Sequence, residues 1–460
     1  MSYNNRNYAQ NTHVVVPYVN NQYISDLPVL DPRDKEVFDK ILAIHEIDGN
    51  VYIMASTRSG KTECVKLIQI RLVLSRKGNI VIFDPHGDLA KQTARMMANK
   101  RSVVYIDPSL KNGITPTVNP FRLRKSDERT YSIMAQEILN AFESIIGADF
   151  SPNMEALLIP CIYTLLRKGD SGVDELLIFM DDENNKYLIA LGLQSPIKVH
   201  RDFFRSQFSK KKFEVTKNAI ATKLQLLLNN PIFFNFITGE STINLEKLVN
   251  TNGKIIIFRL PKDSMRKTLE PAAKLIMALI QGIVLKRANL PAEMRPKTCL
   301  ILDEFQNLTS QTLREMLAES AKNNLSIICM HQYLSQIDTK TKDAVLSNTN
   351  VKIIGRNSHK DLKMMADEIE VDVSLLKDLK QGEFYIKVGN RDAVKIVTSD
   401  KFLGDKESIS ESQWKQHLKY WKKHYYKKII DTTIIENIDD NIVDSPNGIL
   451  PSPKFDIEEQ

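Results

Sequence analysis

The chain has 460 residues, of which 42% are hydrophobic and 26% are charged, and its formal net charge is +7. These values are ordinary for a soluble globular protein, and the length indicates two or three domains. They argue against a membrane-spanning protein, because the best apolar run, Leu275 to Leu285, is shorter than a span of about twenty residues and contains Gln281.

The N-terminal segment and the cysteines indicate the compartment. Segment 1–48 opens with a polar, Asn-rich stretch that has no apolar signal core. Cys64, Cys161, Cys299 and Cys329 show no metal-type spacing and fall in or beside apolar elements. We therefore expect a cytoplasmic protein with reduced, packed thiols.

A phosphate-binding loop follows the first apolar strand, Val51 to Met54. In such a loop, backbone N–H groups and the N-terminus of the next helix bind nucleotide phosphates. Lys61 is predicted to neutralise the β- and γ-phosphate oxygens, and the Thr62 hydroxyl to hold Mg²⁺. The usual pattern has Gly at the position of Ala55, which is small enough for the turn. The predicted nucleotide-binding residues are Ser56, Thr57, Arg58, Ser59, Gly60, Lys61, Thr62 and Glu63.

Short apolar strands alternate with helical stretches in the rest of the first core part, 49–125. Lys61 to Ser75 has helical spacing and stops at Lys77-Gly78. Strands are predicted at Asn79 to Phe83 and Ser102 to Ile106. This alternation predicts an α/β fold with a central, mostly parallel sheet that gathers ligands at the carboxyl ends of its strands.

The alternation disappears between Ser126 and Asn250, where amphipathic helical segments take over. The clearest are Tyr131 to Ile146, Met154 to Leu166 and Lys217 to Leu228. We predict an inserted all-α domain at 126–250. Such an insertion explains why Lys61 and Asp303 are so far apart in sequence.

Strands resume in the second core part, 251–405, and the strand Cys299 to Leu302 ends in Asp303 and Glu304. This is the pattern of a Walker B strand. Asp303 is predicted to hold Mg²⁺ through water, and Glu304 to orient and polarise the water that attacks the γ-phosphate. The alternative is a buried strand whose acidic end only meets solvent; the phosphate loop favours the nucleotide interpretation. The remaining predicted strands are Lys254 to Leu260, Leu325 to Met330, Val351 to Ile354 and Glu383 to Lys387.

Two further residues are catalytic candidates. Gln332 ends the strand after Walker B, where a polar side chain can sense the γ-phosphate. Arg356 ends the following strand and is predicted to reach a neighbouring subunit's γ-phosphate. We favour Arg356 over Lys352, because a planar guanidinium suits phosphate better than a point charge. The alternative is a cation on a solvated strand end.

The C-terminal region combines a basic aromatic helix, 406–430, with an acidic tail, 431–460, that we predict to be disordered. The helix has an aromatic face flanked by lysines, which fits docking on the body, stacking on single-stranded DNA, or a peripheral contact with the inner face of the membrane. The face consists of Trp414, Leu418, Trp421 and Tyr425. The tail carries −7 and the remainder +14, which suggests a polyanionic partner, with simple solubility as the alternative.

Taken together, these motifs resemble the FtsK/HerA superfamily of P-loop ATPases and, more narrowly, the TraG/TrwB-type coupling proteins of conjugation. The resemblance rests on the phosphate loop, Asp84 to Asp88, Asp107-Pro108 to Asn119-Pro120-Phe121, Asp303-Glu304-Phe305, Gln332 and Asn350 to Asn357. It implies a RecA-like motor domain that binds ATP and Mg²⁺ and assembles as a homo-hexameric ring around DNA. It also implies sequence-independent backbone contacts with DNA, and relaxase or secretion-channel partners.

Three departures limit that resemblance. The chain lacks the transmembrane helices of most coupling proteins, the β-barrel of HerA-type helicases and the winged-helix reader of FtsK translocases. The leading hypothesis is an ATP-dependent DNA translocase for conjugative or related DNA transfer. The alternatives are a viral genome-packaging or HerA-like DNA-processing motor, and a non-pumping, ATP-dependent assembly scaffold. Glu304 and Gln332 argue against the scaffold, since a pure switch needs no hydrolytic residues.

Overall fold

The computed structural model describes residues 49–74, 78–123, 126–398 and 408–429. The predicted N-terminal segment, 1–48, and acidic tail, 431–460, lie outside these residues. Within them, nine strands form one sheet. These strands are β1 Asn50–Met54, β2 Asn79–Asp84, β3 Ser102–Ile106, β5 Lys254–Arg259, β6 Thr298–Leu302, β7 Leu325–His331, β8 Thr349–Gly355, β9 Glu383–Val388 and β10 Val394–Val397.

Their order across the sheet is β10-β9-β8-β1-β7-β6-β2-β5-β3. The seven strands from β8 to β3 in this order are parallel, whereas β9 runs antiparallel to both β8 and β10.

Both faces of this sheet are buried, as the nearly continuous apolar strands predict. Because alternate residues of a strand point to opposite faces, β1 contributes Tyr52 and Met54 to one apolar cluster and Val51 and Ile53 to the other. The helices that flank the sheet are α1 Lys61–Leu74, α2 Asp88–Met97, α11 Lys262–Met265, α12 Leu269–Lys286, α13 Gln311–Glu319, α14 Thr339–Asn348, α15 His359–Ile369 and α16 Val373–Lys377. The predicted α/β class with a mostly parallel sheet is confirmed.

The region between β3 and β5 is helical apart from the short strand β4, Ile114–Thr115, which the sequence analysis missed. Its first long helix begins where the Asp127 carboxylate accepts from Thr130 N, and the second begins where Ser151 Oγ accepts from Met154 N. One apolar cluster continues from the sheet into these helices, so they share a core with the sheet. The helices are α3 Glu128–Ile146, α4 Pro152–Lys168, α5 Val173–Phe179, α6 Lys186–Gly192, α7 Lys198–Ser206, α8 Glu214–Leu228, α9 Pro231–Ile237 and α10 Leu245–Asn250. The boundaries 126–250 stay a prediction.

One described segment, Lys262–Asn289, has the length and composition to cross a membrane, with a mean hydropathy of 1.5 in its best window. However, 83% of that window is buried inside the protein. The apolar run Leu275 to Leu285, noted in the sequence, is the most apolar part of this segment. Within the fold, α12 packs against α3 and belongs to the shared core.

The C-terminal aromatic helix, α17 Glu411–Tyr425, docks on the body beside β3. Trp421 is 1% exposed and its Nε1 donates to Val103 O at 2.8 Å, while its ring stacks on Tyr105. After the helix, β11, Lys427–Lys428, pairs with β4. Because Trp414 and Trp421 are both buried, these rings are not free to stack on bases or enter a membrane surface. A peripheral membrane contact through other residues stays a prediction.

The four cysteines are buried and unpaired, as expected. Burial raises the pKa of Cys64 and Cys299 to about 12. These thiols therefore stay protonated and behave as packed apolar groups.

Candidate nucleotide-binding site

The candidate site lies at the carboxyl edge of the sheet, where β1, β7, β6 and β2 are neighbours. Each parallel strand delivers its next residues to this edge. The phosphate loop follows β1, Gln332 follows β7, and Asp303 and Glu304 follow β6. Residues that are far apart in sequence therefore share one cleft.

The loop adopts a conformation that ordinary side chains rarely take. Arg58 has φ 60° and Gly60 has φ 101°. A Cβ on Gly60 would lie 3.2 Å from Gly382 Cα, and Gly382 N donates to Ser59 O at 2.9 Å. The turn before β9 therefore packs against the phosphate loop. This contact was not predicted, although Gln381-Gly382 is a turn signal in the sequence.

Ala55, the departure from the usual loop pattern, is accommodated by a glycine opposite. A Cβ built on Gly355 would lie only 2.8 Å from Ala55 Cβ. The missing side chain at Gly355 therefore makes room for the methyl group of Ala55. The loop start is also fixed by Ser56 N, which donates to Arg356 O at 2.8 Å.

Lys61 opens α1 and extends into the cleft. Its Nζ is buried without a hydrogen-bond partner and lies 3.8 Å from Glu304 Oε1. Burial lowers the pKa of Lys61, although the charges of Glu304 and Asp303 oppose that shift. A buried ammonium with no hydrogen bond is costly unless an anion completes it.

The acidic residues beside Lys61 are crowded. Burial, together with the nearby charges of Asp84 and Glu304, raises the pKa of Asp303 to about 7. Asp84 itself accepts from the backbone N–H groups of His86, Gly87 and Ala90, so the position of its carboxylate is fixed by the turn into α2. A cation at Asp303 would relieve this repulsion.

Gln332 joins the two motifs. Its Oε1 accepts from Thr57 Oγ1 at 2.9 Å, and its Nε2 donates to Glu304 Oε1 at 3.0 Å. Asn357 Nδ2 donates to the Gln332 carbonyl and so holds its backbone. A γ-phosphate between the loop and Glu304 would meet this amide directly.

Glu304 has φ 50°, a strained value for a residue with a side chain. The residue is buried, with 6% of its surface exposed. Its carboxylate Oε2 accepts from Gln306 Nε2 at 2.6 Å. No sequence signal had singled out Gln306. The strain and the polar contacts indicate that the orientation of this carboxylate is specified.

The donor set fits a nucleotide with one divalent cation. The first N–H groups of α1, from Lys61 to Glu63, have no intrahelical partner and suit phosphate oxygens. Thr62 and Asp303 are oxygen donors of the kind Mg²⁺ prefers. Among the described residues, no three His, Cys, Asp or Glu side chains converge as a metal site. Glu63 is paired with Lys66 at 2.7 Å, so it offers its backbone rather than its carboxylate.

Arg356 is exposed just beyond β8, whereas Lys352 pairs with Glu368 at 2.9 Å. The engaged lysine is therefore the poorer candidate for a neighbour's phosphate. The β8 strand itself lies inside the sheet, between β9 and β1. The role of Arg356 in a neighbouring site stays a prediction.

A buried polar pair behind the site was not predicted. Tyr52 Oη and His331 Nε2 lie 2.5 Å apart, and Phe305 packs against the imidazole. Burial, with the charge of Lys61, lowers the pKa of His331 to about 3. The imidazole is therefore neutral and links β1, which carries the loop, to β7, which carries Gln332.

Residues 47–280 match the family model described as the central domain of the helicase HerA, which covers just over half of the chain. The chain belongs to this HerA family of P-loop ATPases. Residues 297–373 match a second model, the TraM recognition site of TraD and TraG. No curated protein sequence matches the chain. The resemblance to the FtsK/HerA superfamily and to coupling proteins is thereby confirmed.

Solved structures share the fold at low identity. The unbound bacterial conjugative coupling protein TrwBdeltaN70 has a TM-score of 0.56 at 16% identity, covering 81% of this chain and 87% of its own. TrwB in complex with the ATP analogue ADPNP has a TM-score of 0.58 at 15% identity, covering 78% and 88%. VirB4 of Thermoanaerobacter pseudethanolicus has a TM-score of 0.54 at 15% identity, covering 78% and 91%. These neighbours confirm the RecA-like motor fold.

Proposed function

We propose that the protein is an ATP-dependent DNA translocase of the coupling-protein type, which moves DNA during conjugative or related transfer. The observation that carries the proposal is the meeting of Lys61 and Glu304 in one cleft, with Gln332 bonded to both the loop and Glu304. The match to TraD and TraG between residues 297 and 373 favours the conjugative role.

In this proposal ATP binds across the phosphate loop. The N–H groups of residues 60–63 and the Lys61 ammonium would bind the phosphates, whereas Ser56 N and Ser59 N already donate to backbone carbonyls and shape the loop. Thr62 and Asp303 would hold Mg²⁺, which neutralises charge on the β- and γ-phosphates. TrwB has been solved with ADP and Mg²⁺, which is consistent with this pairing.

Hydrolysis then depends on Glu304. Its Oε1 faces the cleft, where it would accept a proton from the attacking water. Gln332 Nε2, the donor end of the amide, would move from Glu304 Oε1 to an oxygen of the γ-phosphate and so couple the presence of that phosphate to Glu304. Arg356 is proposed to stabilise transition-state charge in the next subunit of a hexameric ring.

The partner is a nucleic-acid backbone. The +14 charge of the chain outside its acidic tail suits contacts that neutralise phosphates without reading sequence. Relaxase or secretion-channel proteins are the further partners that a conjugative role requires.

The test is ATP hydrolysis with and without DNA, together with displacement of a third strand from a DNA triplex. Wild type should hydrolyse ATP faster with DNA and displace the strand, whereas Lys61→Ala should do neither. Lys91→Ala, which removes an exposed lysine on α2, serves as the control and should behave as wild type. Hydrolysis that ignores DNA, or a complete lack of strand displacement, would overturn the translocase and favour a scaffold.

The HerA match favours one second candidate, a DNA-processing motor that works with a nuclease. Its chemistry at the nucleotide is the same, so only partners discriminate. Recovery of a relaxase or a secretion component with the tagged protein supports the conjugative role. Recovery of a nuclease or a capsid protein would move the assignment to processing or packaging.

A further inference from the structure

Both oxygens of the Glu304 carboxylate are held by side-chain amides. Gln332 Nε2 donates to Oε1 at 3.0 Å, and Gln306 Nε2 donates to Oε2 at 2.6 Å. A carboxylate only accepts, so in each amide the nitrogen must face it. The Lys61 ammonium is a third neighbour, 3.8 Å from Oε1.

These contacts differ in their relation to the phosphate loop. Lys61 belongs to α1, and Gln332 Oε1 accepts from Thr57 of the phosphate loop, so the Lys61 ammonium and Gln332 Nε2 are the two donors that a γ-phosphate can draw away from Glu304. Gln306 lies on the far side of the carboxylate, in the turn Phe305–Leu308. When Lys61 and Gln332 turn to the phosphate, Gln306 is the donor that stays on Glu304.

The turn that carries Gln306 is firmly anchored. Phe305 is fully buried and packs against His331, and Asn307 N donates to Glu304 O at 3.0 Å. Gln306 Oε1 is buried without a hydrogen-bond partner. An amide placed here for stability alone would satisfy both of its polar ends, because an unpaired buried acceptor is costly.

We propose that Gln306 is a positioning residue for hydrolysis. Its Nε2 fixes Oε2 of Glu304, which keeps Oε1 aimed at the attacking water after Gln332 and Lys61 have engaged the γ-phosphate. Without this bond the carboxylate rotates about its side-chain torsions, and the proton of the water loses its acceptor. The inference rests on the proposed function, since it requires Glu304 to act on water.

Gln306→Met keeps the length of the side chain and removes the donor. We expect kcat for ATP to fall about tenfold while KM and the affinity for a fluorescent ATP analogue stay unchanged, because orientation is lost and binding is not. Gln311→Met is the matched control, since Gln311 Nε2 donates to Glu315 Oε1 at 2.8 Å away from the cleft. It should hydrolyse ATP as wild type does.

A double-mutant cycle separates positioning from general damage. In a Glu304→Gln background, single-turnover hydrolysis should not fall further when Gln306→Met is added, because the carboxylate to be positioned is gone. An equal tenfold loss in both backgrounds would overturn the inference. If Gln306→Met proves unstable, Gln306→Glu carries the test and should lower kcat at least as much, since it adds a like charge beside Glu304.

Different results would reject the proposed role of Glu304 and the proposed role of Gln306. Hydrolysis by Glu304→Gln at the wild-type rate would remove Glu304 from the proposed reaction. Loss of hydrolysis in Glu304→Gln with full kcat in Gln306→Met would overturn only the role of Gln306.

Discussion

The two edges of the central sheet hold their buried cations in different ways. At the carboxyl edge, Lys61 Nζ is buried without a hydrogen bond. At the amino edge, the buried guanidinium of Arg287 donates to Val249 O at 3.0 Å and to Thr298 Oγ1 at 2.9 Å. It also donates to Asn250 Oδ1 and Pro296 O. The first cation has no hydrogen bond within the chain, and the second has several.

Two asparagines repeat this pattern at the amino edge. Asn79 donates to Val249 O at 2.8 Å and accepts from Lys254 N at 2.9 Å. Asn50 donates to Leu317 O and accepts from Ile327 N, both at 2.9 Å. These bridges tie the strand starts to each other and to the end of the helical region. Among the buried cations, Arg287 therefore serves stability, whereas Lys61, whose hydrogen bonds do not close within the chain, is the candidate for binding.

The largest expected effect falls on the carboxyl edge. Glu304→Gln should lower the rate of ATP hydrolysis on the order of 10³-fold, because a carboxamide cannot accept the proton of the attacking water. Affinity for ATP and the melting temperature should stay near wild type, since the change removes one of several crowded negative charges. Steady-state hydrolysis, calorimetric titration and thermal melting measure the rate, the ATP affinity and the melting temperature in turn. A wild-type rate would contradict the site.

The next effect falls on the amino edge. Arg287→Leu should lower the free energy of unfolding by about 3 kcal/mol or more, because several buried acceptors lose their donor. The folded fraction should still bind ATP, since the residue lies at the opposite edge of the sheet. Chemical denaturation and nucleotide titration check the two halves. If Arg287→Leu lost ATP affinity without losing stability, the assignment of the amino edge to stability and of the carboxyl edge to nucleotide binding would be contradicted.

A pH-dependent effect of a few kcal/mol is expected for Asp303→Asn. The pKa of Asp303 is raised to about 7 in the folded protein, above its ordinary value of 3.8. Between these values the folded state holds a proton that the unfolded state has lost, so wild-type stability falls as pH rises and the penalty is complete above pH 7. The variant without nucleotide should therefore be the more stable protein at pH 8, with no advantage at pH 4.

Thermal melting between pH 4 and pH 8 measures the difference in stability between Asp303→Asn and wild type. Asp378→Asn, which replaces an exposed acid, is the control and should show no such pH-dependent difference from wild type. With Mg²⁺ and ATP present the order should reverse at pH 8, because wild type gains a cation that the carboxamide holds poorly. A constant offset at all pH values would contradict the assignment of Asp303.

The smallest expected effect is at Asn79. Asn79→Ala should cost about 1 kcal/mol of unfolding free energy, since Val249 O and Lys254 N each lose a partner. Hydrolysis should be unchanged. Chemical denaturation resolves the shift, and a change in kcat would show that the amino edge also serves catalysis.

Much of the site could be predicted because its elements carry local signals. The loop, Asp303, Glu304 and Gln332 each follow an apolar strand, and parallel strands bring such positions to one edge. The start and end of β3 agree with the predicted strand, and the predicted Walker B strand ends at Leu302, where β6 ends. The docked aromatic helix was one of three alternatives, and its spacing alone could not decide among them.

The missed residues depend on tertiary contact. Gln306 and Gly382 are important through what they touch, Glu304 and Ser59, which no spacing rule gives. Arg287 looks like any basic residue at a helix end until the carbonyls around it are known. The short strands β4, β10 and β11 lie at edges where few side chains are buried, so their sequences lack a clear pattern.

The central claim is that the carboxyl edge around Lys61 binds the nucleotide. Calorimetric titration of wild type, Lys61→Ala and Asn79→Ala with Mg²⁺ and a slowly hydrolysed ATP analogue tests it directly. The account predicts tight binding by wild type and Asn79→Ala, and affinity at least tenfold weaker for Lys61→Ala. Equal affinity of Lys61→Ala and wild type would contradict it.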